Sequence, residues 1–148
     1  MAFRFSLQAL LRFRKSVEHQ QELLLQEANH QVALVRHEIE SLDKRMAEIA
    51  VRGALELTSG VRAAELQFEG LCRSVLLEQR RQLEKVLAQR EEIRVRHRQA
   101  FHHARRQREV VDTLRQHQLQ LYRQQEKRKE QRSLDELFLL RREFLRRG

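Results

Sequence analysis

Apolar residues along the first third of the chain recur at one spacing. Leu25, Ala28, Val32, Val35, Ile39, Leu42, Met46 and Ile49 are separated by alternating steps of three and four. Such steps bring side chains onto one stripe of an α-helix, and a stripe sustained this long is a heptad seam that needs a partner helix. Upstream, Leu7, Leu10, Val17 and Leu24 keep the rhythm, with Arg14 and Gln21 interrupting, and the Leu23-Leu24-Leu25 cluster lets the seam shift by one residue. The pattern predicts a first helix from about residue 3 to about residue 55.

The strongest turn signal follows. Gly53 and Gly60 bracket Thr58-Ser59, which supplies both a helix stop and an N-cap, so a turn is expected over 56–61. A short turn between two long helices makes them antiparallel neighbours. The second helix, expected over about 62–132, has a weaker seam. Of Leu76, Gln79, Leu83, Val86, Arg90, Ile93, His97, Ala100, Ala104, Gln107, Val111, Leu114, Gln118 and Leu121, five are polar, which weakens packing and helps fix register. Residues 122–133 hold no aliphatic side chain, and an apolar cluster then returns with Leu134, Leu137, Phe138, Leu140, Phe144 and Leu145. Ser133-Leu134-Asp135-Glu136 reads as a capping box, so 133–147 is expected either as a separate short helix or as the last turns of helix two. The fold class is all-α: one antiparallel coiled-coil hairpin, with a longer second helix. If the turn centres near Thr58, Leu7 faces Glu109. Roughly 30 residues then overhang, some 45–50 Å at 1.5 Å per residue.

Composition agrees with this plan. The 148 residues include no proline and four glycines, so a sheet protein would lack its turns. Charged residues make up 34% and aromatics 5%, which suits a narrow seam and not a wide core. The net charge of +9 lies on the second half: residues 1–57 carry 8 basic and 8 acidic side chains, residues 80–132 carry 16 and 7. An acidic partner or a solvated arginine-rich face explains that asymmetry equally well. Cys72 is the single cysteine, so no intrachain disulfide forms. The longest apolar run in the tail, Leu137-Phe138-Leu139-Leu140, is too short to span a bilayer.

Enzymatic chemistry is not expected, nor a cofactor. No glycine cluster could wrap a phosphate, and the seven histidines never fall three or four residues apart, so none pair on a helix to hold a metal. Glu27-Ala28-Asn29-His30 is one carboxylate–histidine unit where a di-iron bundle needs two with further carboxylates. Arg73 follows Cys72 directly, and adjacent side chains on a helix do not face each other, so a nucleophilic role is not expected.

Partner surfaces are the remaining candidates. At 100° per residue Phe5 and Phe13 fall off the seam; they either cap the hairpin or grip a partner, and the grip is favoured because exposed aromatics are costly. The cluster of Leu134, Leu137 and Phe138 calls for docking onto something. Phe68, Leu71 and Val75 have seam spacing and are expected in the core. The basic stretch could touch phosphates without specificity, but only Phe101 and Tyr122 could stack on bases.

Phe3-Arg4-Phe5-Ser6-Leu7-Gln8-Ala9-Leu10-Leu11-Arg12-Phe13-Arg14 resembles the opening of the flagellar FliJ family, and Gln131-Arg132-Ser133-Leu134-Asp135-Glu136-Leu137 is similar to its C-terminal run. The related stalk proteins of injectisomes share the architecture, and the Phe-x-Phe-x-Leu opening favours the flagellar side. The resemblance implies a non-enzymatic, cytoplasmic component of type III export, peripheral at the inner membrane. It implies insertion into the ring of the export ATPase FliI, contact with the cytoplasmic domain of the gate protein FlhA, and handling of export chaperones. The gate contact would fall on Phe68, Cys72, Val75 and Gln79, of which Cys72 and Gln79 depart from the family's pattern. The ring contact would draw on Phe5, Phe13, Leu134, Leu137 and Phe138. A monomeric hairpin is expected; the rivals are a nonspecific nucleic-acid binder and a scaffold that dimerises through its weak seam.

Overall fold

Two helices account for nearly all of the chain in the computed structural model, which describes residues 2–60 and 62–148. Helix α1 spans Gln8–Ser59 and α2 spans Ala63–Arg147, 52 and 85 residues. They form a helical hairpin whose second arm is the longer. No strand occurs among the described residues.

The ends follow from local chemistry. α1 stops at Gly60, whose φ of 81° is the left-handed conformation that closes a helix cheaply only when no Cβ is present. Thr58 donates to the Leu55 carbonyl at 2.6 Å and Ser59 to the Glu56 carbonyl at 3.1 Å. These hydroxyls therefore finish α1 and do not cap α2. The turn is accordingly later than expected, because 56–59 remain helical. α2 opens instead on the Arg62 carbonyl, which accepts from the Glu65 and Leu66 amides, with Glu65 favourably placed against the helix dipole. It ends with Arg146 and Arg147, the sign that suits a C-terminus. The capping-box reading of Ser133–Glu136 does not hold: an N-cap must leave helical geometry, and α2 runs through these residues unbroken.

The chain packs as two units. In the unit formed by His19–His102, the predicted heptad seam is the buried face of α1. Ala28, Val32, Val35 and Leu42 are buried, and Leu25, Ile39, Met46 and Ile49 partly so. Fully burying a Val or Leu side chain contributes about 1.5–3 kcal/mol relative to exposure, and Val32 is only 1% exposed, so Val32→Asp is the single change that would break the seam most directly. Gly53 extends the seam by one more step. A Cβ built there would lie 2.9 Å from Glu69 Oε2, so this glycine permits close approach of α2 and does not stop α1. Arg36 pairs with Glu91, and Arg80 Nε donates to Asp43 Oδ1 at 2.7 Å, which sets the helices antiparallel.

In the unit of residues up to Glu18 with His103–Gly148, Phe5, Leu11 and Val111 form the buried cluster, with Phe3 and Leu10 packed against it. Leu11, only 1% exposed, holds the seam position that the sequence pattern assigned to its neighbour Leu10. Arg14 Nη1 donates to Gln107 Oε1, and Arg108 holds Glu18. The expected register would have set Arg14 near residue 102 and Glu18 near residue 98, so α2 is advanced by five to ten residues. The later turn is the cause, since moving a turn by n residues slides the partner arm by 2n.

Candidate partner-binding surfaces

The α2 side of the packing differs from the aliphatic stripe expected. Leu114 and Leu121 are exposed, whereas Arg94, Phe101, Arg108, Arg115 and Tyr122, seven residues apart, are half-buried. Long arginine stems can cover apolar surface while their head groups reach water or a carboxylate. Pairing with Asp43 raises the Arg80 pKa, and pairing with Glu18 raises that of Arg108, so both stay charged. Aliphatic spacing alone hides this row; the α1 acids Glu18 and Asp43, which pair with Arg108 and Arg80, are the signal that could have found it.

Near the turn, the side chains suggested for the gate contact come together on one surface. Phe68 is 67% exposed, and Leu71, Val75 and Gln79 are also exposed, with Cys72 half-buried beside them. The expectation that Phe68, Leu71 and Val75 form seam core is thus overturned. The register slide and the close approach of Glu69 to Gly53 put Leu76 and Cys72 toward α1, leaving these three at the rim. Together with Ile49 and Arg52 of α1 they line an open groove of about 520 Å³. At the turn end, Glu56 shares a hydrogen bond with the Glu69 carboxyl. That bond, partial desolvation and the charge of Glu69 raise the Glu56 pKa, against a smaller lowering by Arg52.

The ring-contact candidates separate. Phe5 is not an exposed grip: it is 8% exposed and belongs to the buried cluster. It precedes α1, its carbonyl accepting the Gln8 amide at 3.2 Å, so the helical angle that placed it off the seam does not apply. Phe13 does project, 57% exposed, with the Arg14 guanidinium carbon 5.8 Å from its ring centre. Within the same unit, the Phe3 ring packs 5.5 Å from Tyr122. α2 continues about 25 residues beyond that contact, roughly 37 Å of helix. From Lys127 onward every residue of it is exposed. Leu134, Leu137, Phe138, Phe144 and Leu145 share one side of this stretch at 100° per residue, and all are exposed.

Among the described residues, no three His, Cys, Asp or Glu side chains converge as a metal site, and no helix is long and apolar enough to cross a membrane. The aromatics that could stack on bases are engaged or half-covered: Tyr122 meets Phe3, and Phe101 tilts against His102. What is left is a class of protein defined by its surfaces: a two-helix coiled coil with an open groove by its turn and an uncovered amphipathic end.

The family model described as flagellar FliJ protein matches residues 3–148, essentially the whole chain, and the chain belongs to that family. It is therefore a component of the flagellar protein export apparatus, acting in flagellum biogenesis. Neither a curated protein nor a solved structure matches the chain.

Proposed function

We propose that this chain is a non-enzymatic stalk of the export apparatus: it inserts into the ring of the export ATPase FliI, promotes ring assembly and hydrolysis, and links the ring to the gate protein FlhA. The observation that carries this reading is the last part of α2, where five large apolar side chains share one face with nothing of their own chain over them. Burying each against a partner is worth about 1.5–3 kcal/mol, enough to hold a helix end inside a ring. Phe13 adds a second apolar contact; Phe5 does not, being needed for the fold. The basic excess over 80–132 supplies attraction to an acidic lumen that weakens with salt.

Phe68, Cys72, Val75 and Gln79 serve the gate contact, and exposure of three of them supports that role. Export chaperones are further partners on this reading. The protein works as a monomer, peripheral at the cytoplasmic face of the inner membrane and held there through its partners. The test is binding of the purified ATPase and of the purified gate domain to the intact chain. Leu137→Glu with Phe138→Glu should abolish ATPase binding alone, and Phe68→Glu with Val75→Glu gate binding alone. Salt-sensitive duplex binding without either protein contact would favour the nucleic-acid reading.

A further inference from the structure

The seam of the His19–His102 unit has two unlike sides. One is closed by interhelical ion pairs, Arg36 with Glu91 and Arg80 with Asp43. Charged residues flanking a coiled-coil seam commonly bridge it in this way. The other side has no interhelical ion pair among the described residues, and three cavities open along it. They have volumes of about 290, 500 and 520 Å³. On α1 they are bordered in turn by Leu24 and Gln31, by Glu38 and Arg45, and by Arg45 and Arg52. Leu24, Gln31, Glu38, Arg45 and Arg52 are successive members of one heptad row. The cavities therefore lie along a single edge of the seam, over about 42 Å from Leu24 to Arg52 at 1.5 Å per residue, and the two nearer the turn join at Arg45.

Two long helices meeting along a heptad seam leave just such a groove for a third, which completes a three-stranded coiled coil. The chemistry of the groove specifies its occupant. Toward the turn its floor is apolar: Ile49, Phe68, Leu71, Val75 and Leu76. Arg45 stands on the border of two cavities and has no ion-pair partner among the described residues. Arg52, one heptad further, likewise forms no ion pair among the described residues, although it is near enough to Glu56 to favour that carboxylate's charged form, and Glu48 borders the same cavity between the two arginines. We infer that the open groove receives an amphipathic helix of another protein, its apolar stripe laid between α1 and α2, with two acidic side chains one heptad apart set against Arg45 and Arg52. This rests on the reading that the face around Phe68 and Val75 meets a partner of the export machinery, and it names that partner's chemistry.

The probe is a synthetic 28-residue helical peptide with leucine at its heptad seam positions and glutamate at two flanking positions seven apart. A second peptide carries lysine there. Fluorescence anisotropy against the full chain should show at least tenfold tighter binding of the glutamate peptide. Arg45→Glu with Arg52→Glu should invert that preference, Val75→Lys should abolish binding, and Arg36→Ala on the closed side should leave it unchanged. The fold is checked by circular dichroism in each case, and a Val75→Lys chain that unfolds is replaced by Phe68→Lys. Equal binding of the two peptides, binding indifferent to these substitutions, or no binding overturns the inference. So does self-association of the chain abolished by Val75→Lys, which would make a second copy the occupant. Loss of gate-domain binding in Val75→Lys without any peptide binding would sink this inference and leave the proposed function standing. Peptide binding as expected, with no gate binding by the intact chain, would do the reverse.

Discussion

Arg108 of α2 grasps Glu18 of α1 with both ends of its guanidinium, Nε at 2.5 Å from one carboxylate oxygen and Nη2 at 3.3 Å from the other. Both side chains are about four-fifths covered, and Asp112 lies a further 3.6 Å from Nη1. A two-pronged arginine–carboxylate pair fixes position along the helices as well as contributing energy. Glu18→Ala should cost roughly 1–2 kcal/mol, because it leaves a largely covered charge with weaker partners. Chemical denaturation gives the value; a change below a few tenths would mean that Arg108 is fully compensated by Asp112 and Glu109.

Phe5 and Phe13 should behave oppositely, although the sequence made them look alike. Phe5→Ala opens a hole beside Leu11 and Val111 and should cost about 3 kcal/mol. Phe13→Ala removes an exposed ring and should leave the melting temperature within about a degree of the parent. Equal losses would place both rings in the core.

Why one was legible and the other not is a matter of where the helix begins. Heptad spacing located the seam from Leu25 to Ile49 because those residues lie well inside α1, where the period is dictated by backbone geometry. Phe5 lies before the first turn, where no period holds. The turn was legible from Gly60, but not from Gly53, since a helical glycine signals close approach only once Glu69 is seen opposite it. α2 was harder because arginines such as Arg94, Arg108 and Arg115 occupy several of its half-buried positions, which no hydrophobic pattern detects. The exposed face of Phe68, Leu71 and Val75 was hidden for the converse reason: its spacing is that of a seam, and only the register decides whether α1 covers it.

Glu56 gives the turn a pH dependence. Its pKa is raised in the folded chain, so the stability it contributes is fully present below the ordinary carboxyl pKa and is lost as pH rises through the folded value. Near neutral pH the pair with Glu69 is two repelling carboxylates, whereas glutamine keeps a donor. Glu56→Gln should therefore raise the melting temperature at about pH 7 and make no difference near pH 4. A difference of the same size at both would exclude the carboxyl pair as its origin.

A monomeric hairpin requires the Asp43–Arg80 contact to lie within one chain. Spin labels at these two positions, with Cys72 changed to serine, should stay close when labelled protein is diluted into an excess of unlabelled chain. Loss of proximity on dilution would mean that α1 packs on α2 of a second copy.

The rate of ATP hydrolysis by the export ATPase, followed as this protein is added, tests the stalk reading most directly. The intact chain should raise the rate in proportion to ring formation. The Leu137→Glu, Phe138→Glu chain should retain the full helical signal, since both side chains are exposed, and should raise the rate by less than about a tenth as much, the loss expected for 1.4 kcal/mol or more of contact. Stimulation by that variant equal to the intact chain's would contradict the account, because the uncovered end of α2 would then have no part in driving the ring.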